Sequence, residues 1–171
     1  SIHIAYAGTP LPSRQRCHWK VRIWDTSDNP TEFSEPTFWQ MGLINKTDFS
    51  AKWISPHPDQ IKPCQDDPVI IASPMLRKTF QLSTKTDRAI VYVTALGLYQ
   101  LNINGKRVGS DHLTPGWTDY EKRVYYQAYD VTDLLIKGKN VITATLGTGW
   151  YCGWVAWLKK IYGNQPAFLC Q

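Results

Sequence analysis

Polar and apolar residues alternate with a period of two along most of this chain, and helical periodicity is nearly absent. In 17–24, Cys17, Trp19, Val21 and Ile23 fall on one face, and His18, Lys20 and Arg22 on the other. The turn Ser27-Asp28-Asn29-Pro30 follows, and a second strand-like stretch runs from about Thr37 to Leu43. This pair reads as the closing hairpin of a sandwich, with too little sequence before Cys17 to supply the remainder. From about Ile54 to Pro74 the alternation stops, and Pro56, Pro58, Pro63, Pro68 and Pro74 punctuate the segment. Proline removes ladder donors and restricts its predecessor, so 46–74 is expected to be an extended connector between domains. Strand signals then return at short intervals: Leu76–Leu82, Arg88–Leu96, Leu98–Ile103, Arg107–Val108, Arg123–Tyr129 and Asn140–Leu146. Asn104-Gly105 predicts a type I′ hairpin, because both residues tolerate positive φ. Asp130–Leu135 predicts one helical turn with Asp130 as N-cap, Asp133 completing the box and Gly138 ending it. The pattern predicts an all-β chain: part of one sandwich over 1–45, then a jelly-roll-like sandwich over 75–171.

Composition changes this picture little. Aromatics make up 13% of the 171 residues, with eight Trp and nine Tyr, which suits a globular chain. The net charge of +5 is spread over strand-like segments, with no basic stripe or recognisable nucleic-acid module, so nucleic acid is not an expected partner. No run of 18 apolar residues suggests a membrane span. Cys17, Cys64, Cys152 and Cys170 form no C-x-x-C pair, which argues against zinc. Cys152 and Cys170 either pair, if two strands bring them together, or remain free buried thiols.

Candidate chemistry gathers in two aromatic clusters. One is Pro115-Gly116-Trp117-Thr118-Asp119-Tyr120, and the other is Gly147-Thr148-Gly149-Trp150-Tyr151, with Trp154 and Trp157 behind it. Sugar sites favour a flat aromatic face against the C–H face of a pyranose, with a neighbouring carboxylate or amide to accept hydroxyl protons. Trp117, Asp119, Trp150 and Tyr151 are therefore candidate carbohydrate contacts. The competing reading is that these rings plug the ends of the sandwich core. Asp111 and Asp119 are the carboxylates that a Ca²⁺ ion would use, although no D-x-D-x-D-G loop accompanies them; no cofactor is required otherwise. A glycosidase needs two carboxyl groups flanking the scissile bond. The chain's three glutamates do not meet that need, since Glu32 and Glu35 lie across the Pro-rich stretch from Glu121. Among the histidines, His3, His18, His57 and His112, no catalytic arrangement stands out, and a self-contained active site is not expected.

The same residues carry a family resemblance. Arg88–Gly109 reads R-A-I-V-Y-V-T-A-L-G-L-Y-Q-L-N-I-N-G-K-R-V-G, followed by L-T-P-G-W-T-D-Y, R-V-Y-Y-Q-A-Y-D-V-T-D-L-L and L-G-T-G-W-Y-C-G. In this order they resemble the N-terminal β-sandwich of bacterial α-L-rhamnosidases of the inverting, (α/α)₆-barrel kind. His18–Asp25, Phe33–Leu43 and Ala51–Ile54 resemble the end of the fibronectin-III-like module that precedes it. The resemblance implies an accessory, non-catalytic portion of a hydrolase that removes terminal α-L-rhamnose, with a catalytic barrel and a rhamnose-containing glycan as partners. Some relatives use this sandwich to bind rhamnose with calcium. Thr148 stands where the family motif reads L-G-D-G-W-Y, which puts that contact in doubt. Relatives that process external glycans are often exported, so a periplasmic or extracellular setting is implied. The family's sandwich also continues beyond this motif, so self-association through uncovered strand edges is expected. A free-standing carbohydrate-binding module and a ligand-free structural spacer are the rival readings.

Overall fold

The computed structural model describes residues 5–67 and 69–171. The chain divides into two compact units, Ser1–Ser50 and Ala51–Gln171.

In the first unit, β1 (Arg16–Trp19) pairs antiparallel with β2 (Thr37–Gln40), setting Cys17 opposite Trp39 and Trp19 opposite Thr37. Past Trp19 the pairing mixes side-chain and backbone bonds: the Val21 and Ile23 amides donate to Ser34 Oγ and Thr31 Oγ1, and the Ser34 and Thr31 amides donate back to the Val21 and Ile23 carbonyls. The expected turn closes this hairpin. Asp25 accepts from the Ser27 and Asn29 amides at 2.8 and 2.9 Å, and Asp28 takes φ +64°, a region that Asp tolerates better than most residues. One face of the hairpin is a cation–aromatic ladder, with Arg16 over Phe38 at 3.9 Å and Lys20 over Phe33 at 4.1 Å. On the opposite face Trp19, Val21 and Ile23 remain exposed.

The second unit is a sandwich of two antiparallel sheets. One has the order β11-β4-β7: β4 is Ile90–Leu96, β7 Gln127–Asp130 and β11 Ala167–Cys170. The other has the order β3-β8-β5-β6: β3 is Met75–Leu82, β5 Leu98–Ile103, β6 Lys106–Arg107 and β8 Gly138–Gly147. Between β8 and β11 come a single helical turn, α1 (Gly149–Cys152), and the short pair β9 (Trp154–Val155) and β10 (Leu158–Lys159).

Gly97 alone separates β4 from β5, so the chain changes sheets within one residue. Its φ of +112° and the 2.4 Å approach that a Cβ would make to the Gly147 carbonyl oxygen require glycine there. The alternation then does what the pattern predicts. Val91, Val93 and Ala95 of β4 face Tyr99, Leu101 and Ile103 of β5 and Ala144 and Leu146 of β8 across one core. Leu101 and Leu146 are each 1% exposed, and burying such side chains contributes about 1.5–3 kcal/mol apiece. Strand β4 is buried on its other face as well: Tyr92 packs on Tyr126, and the Thr94 hydroxyl donates to the Tyr125 carbonyl at 2.5 Å.

Asn104 (φ +50°) and Gly105 (φ +79°) form the β5–β6 hairpin, as their type predicts. Asn104 also bonds outside the turn. Its Nδ2 donates to Asn140 Oδ1, and its Oδ1 accepts from the Val141 amide. Asn140 is fully buried and satisfied by Ile136 and Gly138 besides Asn104.

Several boundaries differ from the sequence expectation. The division between units falls at Ser50/Ala51, and the Pro-rich stretch from Ala51 onward belongs to the second unit. Ile54 exchanges both backbone hydrogen bonds with Phe168, at 2.9 and 2.8 Å, and Val69 and Ile71 are buried. Proline limits ladder donors only at its own positions, so the residues between prolines still pair; Pro68 lies outside the described residues, as does His3. Strand β7 begins at Gln127 rather than Arg123, because the Lys122 and Arg123 amides turn back onto the Asp119 carbonyl. The turn after β7 is a 3₁₀ turn, Thr132–Leu134, with the Asp130 carboxylate accepting from the Thr132 amide; Gly138, at φ +94°, opens β8 instead of ending a helix. Cys152 and Cys170 are both free, and burial pushes each thiol up to about 11. They are therefore protonated and unreactive near neutral pH.

Candidate functional site: an aromatic ledge

The two aromatic clusters are brought together. The first is carried on the segment that follows the β5–β6 hairpin, and β5 anchors it. The Tyr99 amide donates to the Thr114 carbonyl at 3.0 Å, and the Thr114 hydroxyl returns a bond to the Tyr99 carbonyl. Thr114-Pro115 is cis, and the Pro115 carbonyl accepts from Gln127, whose Oε1 accepts from the Tyr99 hydroxyl. Gly116, at φ +98°, then turns the chain outward. Trp117 follows, 55% exposed.

The second cluster rides on α1. Trp150 lies nearly parallel to Trp117, with ring centroids 6.2 Å apart and planes 15° from each other. Trp150 is half-buried and forms the backing of this pair, while Trp117 is its exposed member. Tyr151 turns instead into a tyrosine cluster. Tyr120 meets Tyr151 edge-on at 5.3 Å and Tyr162 at 5.1 Å, and the Tyr120 hydroxyl donates to the Gly116 carbonyl. Burial pushes the Tyr120 phenol up to about 12. Gly163 lies close beside this cluster: a Cβ there would come within 2.3 Å of the Tyr151 ring, so the ring would have to shift.

Asp119 is half-buried beside the ledge. Its Oδ2 accepts from Lys122 Nζ at 2.9 Å, and its Oδ1 accepts from the Glu121 amide at 3.2 Å. The hydrogen bond from Lys122 holds the carboxyl below its ordinary value, so Asp119 is an anion at neutral pH with both oxygens already accepting. Asp111 has a different partner: its Oδ2 accepts from the Tyr129 hydroxyl at 2.7 Å. Two carboxylates engaged in this way fall short of the roughly six to eight oxygens that Ca²⁺ takes. Among the described residues no group of three or more His, Cys, Asp or Glu side chains is placed to hold a metal. Asp111 and Asp119 therefore do not fit a calcium centre. Thr148 occupies the N-cap of α1 without a side-chain cap bond, and its Oγ1 lies where a Cβ on Gly153 would come within 2.8 Å.

Sequence reasoning placed Trp117, Trp150 and Tyr151, but not the pairing of Trp117 with Trp150 or the share of Tyr162 in the tyrosine cluster. Tyr162 stands 42 residues after Tyr120, and no local signal links them.

Comparison with known proteins places the chain in a family. Residues 84–171 match the family described as Alpha-L-rhamnosidase N-terminal domain, and residues 1–45 match that described as Rha78A-like, N-terminal immunoglobulin domain. An alpha-L-rhamnosidase of Formosa agariphila is 37% identical over 174 residues, covering all of this chain and 19% of its own length. The solved alpha-L-rhamnosidase from Dictyoglumus thermophilum superposes with a TM-score of 0.84 at 39% identity, over 98% of this chain and 19% of that one. The solved alpha-L-rhamnosidase from Aspergillus terreus gives a TM-score of 0.84 at 32% identity, over 95% of this chain and 19% of its own. The chain thus spans about a fifth of the length of the relatives it matches. With its sandwich, its Pro-Gly-Trp and Gly-Trp-Tyr segments and its immunoglobulin-like start all matched, the chain belongs to the family of alpha-L-rhamnosidase N-terminal domains.

Proposed function

We infer that this chain is the accessory, non-catalytic β-sandwich portion of an α-L-rhamnosidase. In this reading it supports a catalytic domain elsewhere in the parent polypeptide and offers Trp117 to the rhamnose-bearing glycan. The observation that carries the glycan contact is the Trp117–Trp150 pair, in which the outer ring is 55% exposed instead of filling the core. A flat indole backed by a second ring is a low-entropy platform for the C–H face of a pyranose. Asp119 lies two residues away as an anionic acceptor for a sugar hydroxyl, in competition with Lys122. Tyr151 takes a structural role instead, because its ring is committed to Tyr120 and Tyr162.

A titration of tryptophan fluorescence with L-rhamnose, with and without Ca²⁺, tests the reading. Saturable quenching or enhancement that disappears in Trp117→Ala is the expected result. A flat response in folded protein, both with and without Ca²⁺, would leave a purely structural segment.

A further inference from the structure

The four-stranded sheet carries a hollow of about 210 Å³, which the aromatic ledge does not use. Its floor is the face of β5 and β8 turned away from the core. There Gln100 stands opposite Thr145, and Leu98 opposite Gly147. Its wall is the loop of residues 109–113, and that loop is held from two sides. The Arg107 guanidinium donates to the Asp111 carbonyl at 2.6 Å, and the Tyr129 hydroxyl donates to the Asp111 carboxylate at 2.7 Å. The Tyr129 ring also lies against Gly109, where a Cβ would come within 2.4 Å of it. Held this way, the loop ends on Leu113 at φ +57°, a region that side chains other than Gly, Asn and Asp rarely adopt. That strained leucine is 61% exposed. An apolar side chain placed in solvent at a cost in backbone energy, beside convergent polar groups, points to a ligand.

We propose that this cleft is a saccharide subsite that takes one uncharged pyranose unit, separate from the Trp117 ledge. This rests on the glycan-binding reading above and deepens it to a second sugar residue. The chemistry is mixed in the way a sugar ring needs. Arg107 has N–H donors beyond the one bound to Asp111, Gln100 both donates and accepts, and the Thr145 hydroxyl does the same. Leu98 and Leu113 supply apolar surface for the C–H face. Asp111 in the same wall disfavours an anionic ligand, which a basic cleft would otherwise attract. The volume is below the roughly 300–1,000 Å³ of drug-sized pockets, which suits a single ring.

The test is a ¹H–¹⁵N NMR titration of this chain with L-rhamnose and, separately, D-glucose, reading the backbone amides of the cleft and the indoles of the ledge in one spectrum. Saturable shifts at Gln100, His112, Leu113 and Thr145 are expected with at least one sugar. They should weaken about tenfold in Arg107→Ala and in Gln100→Ala, with the Trp117 and Trp150 indole shifts unchanged. Gln100 is an exposed strand residue, so its variant keeps the backbone ladder if Arg107→Ala loosens the loop. Shifts confined to the indoles would overturn the cleft and leave the ledge standing. Cleft shifts that survive both variants would also overturn it, and silence at both places would remove the subsite together with the reading it rests on.

Discussion

Strands β1 and β5 carry the same alternation, yet they end in opposite environments. On β5, Tyr99, Leu101 and Ile103 are 8%, 1% and 2% exposed, whereas in the first unit Trp19, Val21 and Ile23 are 48%, 47% and 65% exposed. The β5 face meets a second sheet, and the β1 face belongs to a two-stranded hairpin. A period of two specifies a strand with two unlike faces, but it does not specify what covers the apolar one. The two units also hold together by different means. In the sandwich, buried apolar area dominates. In the hairpin, stacked cations and rings and an Asp-centred turn contribute interactions of a few tenths to about 1 kcal/mol each.

Mutations in the two faces sharpen that contrast. Leu101→Ala removes a side chain at the centre of the sandwich and is expected to cost about 2–5 kcal/mol in chemical denaturation of the second unit. Trp19→Ala, in a face open to solvent, should change stability by under about 1 kcal/mol. Equal losses at the two sites would show that the hairpin face is covered in solution. Asn140→Ala comes next. It leaves the Ile136 amide, the Ile136 and Gly138 carbonyls and the Asn104 amide group without their buried partner, and should cost on the order of 2–3 kcal/mol by the same measurement.

These residues also mark what was legible in the sequence. The strand positions of the sandwich, the Asn104-Gly105 hairpin and the aromatic clusters were readable, because each depends on local pattern or on turn chemistry. Asn140 was not singled out, since its burial follows from a bond to Asn104 across 36 residues. Pairing of Ile54 with Phe168 was hidden for the same reason, and proline composition pointed the other way. Of the candidate site, the ledge was half readable: Trp117 and Trp150 were named from their neighbours, but their stacking comes from tertiary structure. The Arg107–Leu113 cleft gave no signal at all, because its strain is a matter of φ at Leu113 and no motif encodes it.

Titration separates the units by direction. Asp25 and Asp48 of the first unit lie below their ordinary value of 3.8 through hydrogen bonds, chiefly from Asn29 and Ser13 respectively. Their contribution is present above that value and fades as pH falls through the lower folded one. Asp67 and Asp119 of the second unit behave alike, so acid weakens both units. Alkali acts on the buried acids of the second unit. Burial raises Cys152 and Cys170 from 9.0 to about 11, and Tyr120 from 10.0 to about 12. Stability from keeping these groups neutral is complete below the unfolded values and lost as pH rises from about 9 to 12. Near-ultraviolet circular dichroism over that range should report loosening of the Tyr120 cluster in the second unit, and Tyr120→Phe should shift the loss to higher pH. An alkaline transition unchanged by Tyr120→Phe and by Cys152→Ala would locate its cause outside this core.

Leu113→Gly is expected to have the smallest effect on folding, and it bears most directly on the cleft. At φ +57° glycine relieves a conformation that costs an ordinary residue about 1–2 kcal/mol, while the glycine chain loses an extra 0.5–1 kcal/mol or so of unfolded-state freedom. The two nearly cancel, and the exposed side chain contributes little burial, so stability should be unchanged or higher by up to about 1 kcal/mol. Stability retained alongside weaker saccharide-induced shifts at Gln100 and Thr145 would mean that the leucine is kept for the ligand and not for the fold. A marked loss of stability would instead assign Leu113 to packing, and the strain in its loop would then need a structural explanation.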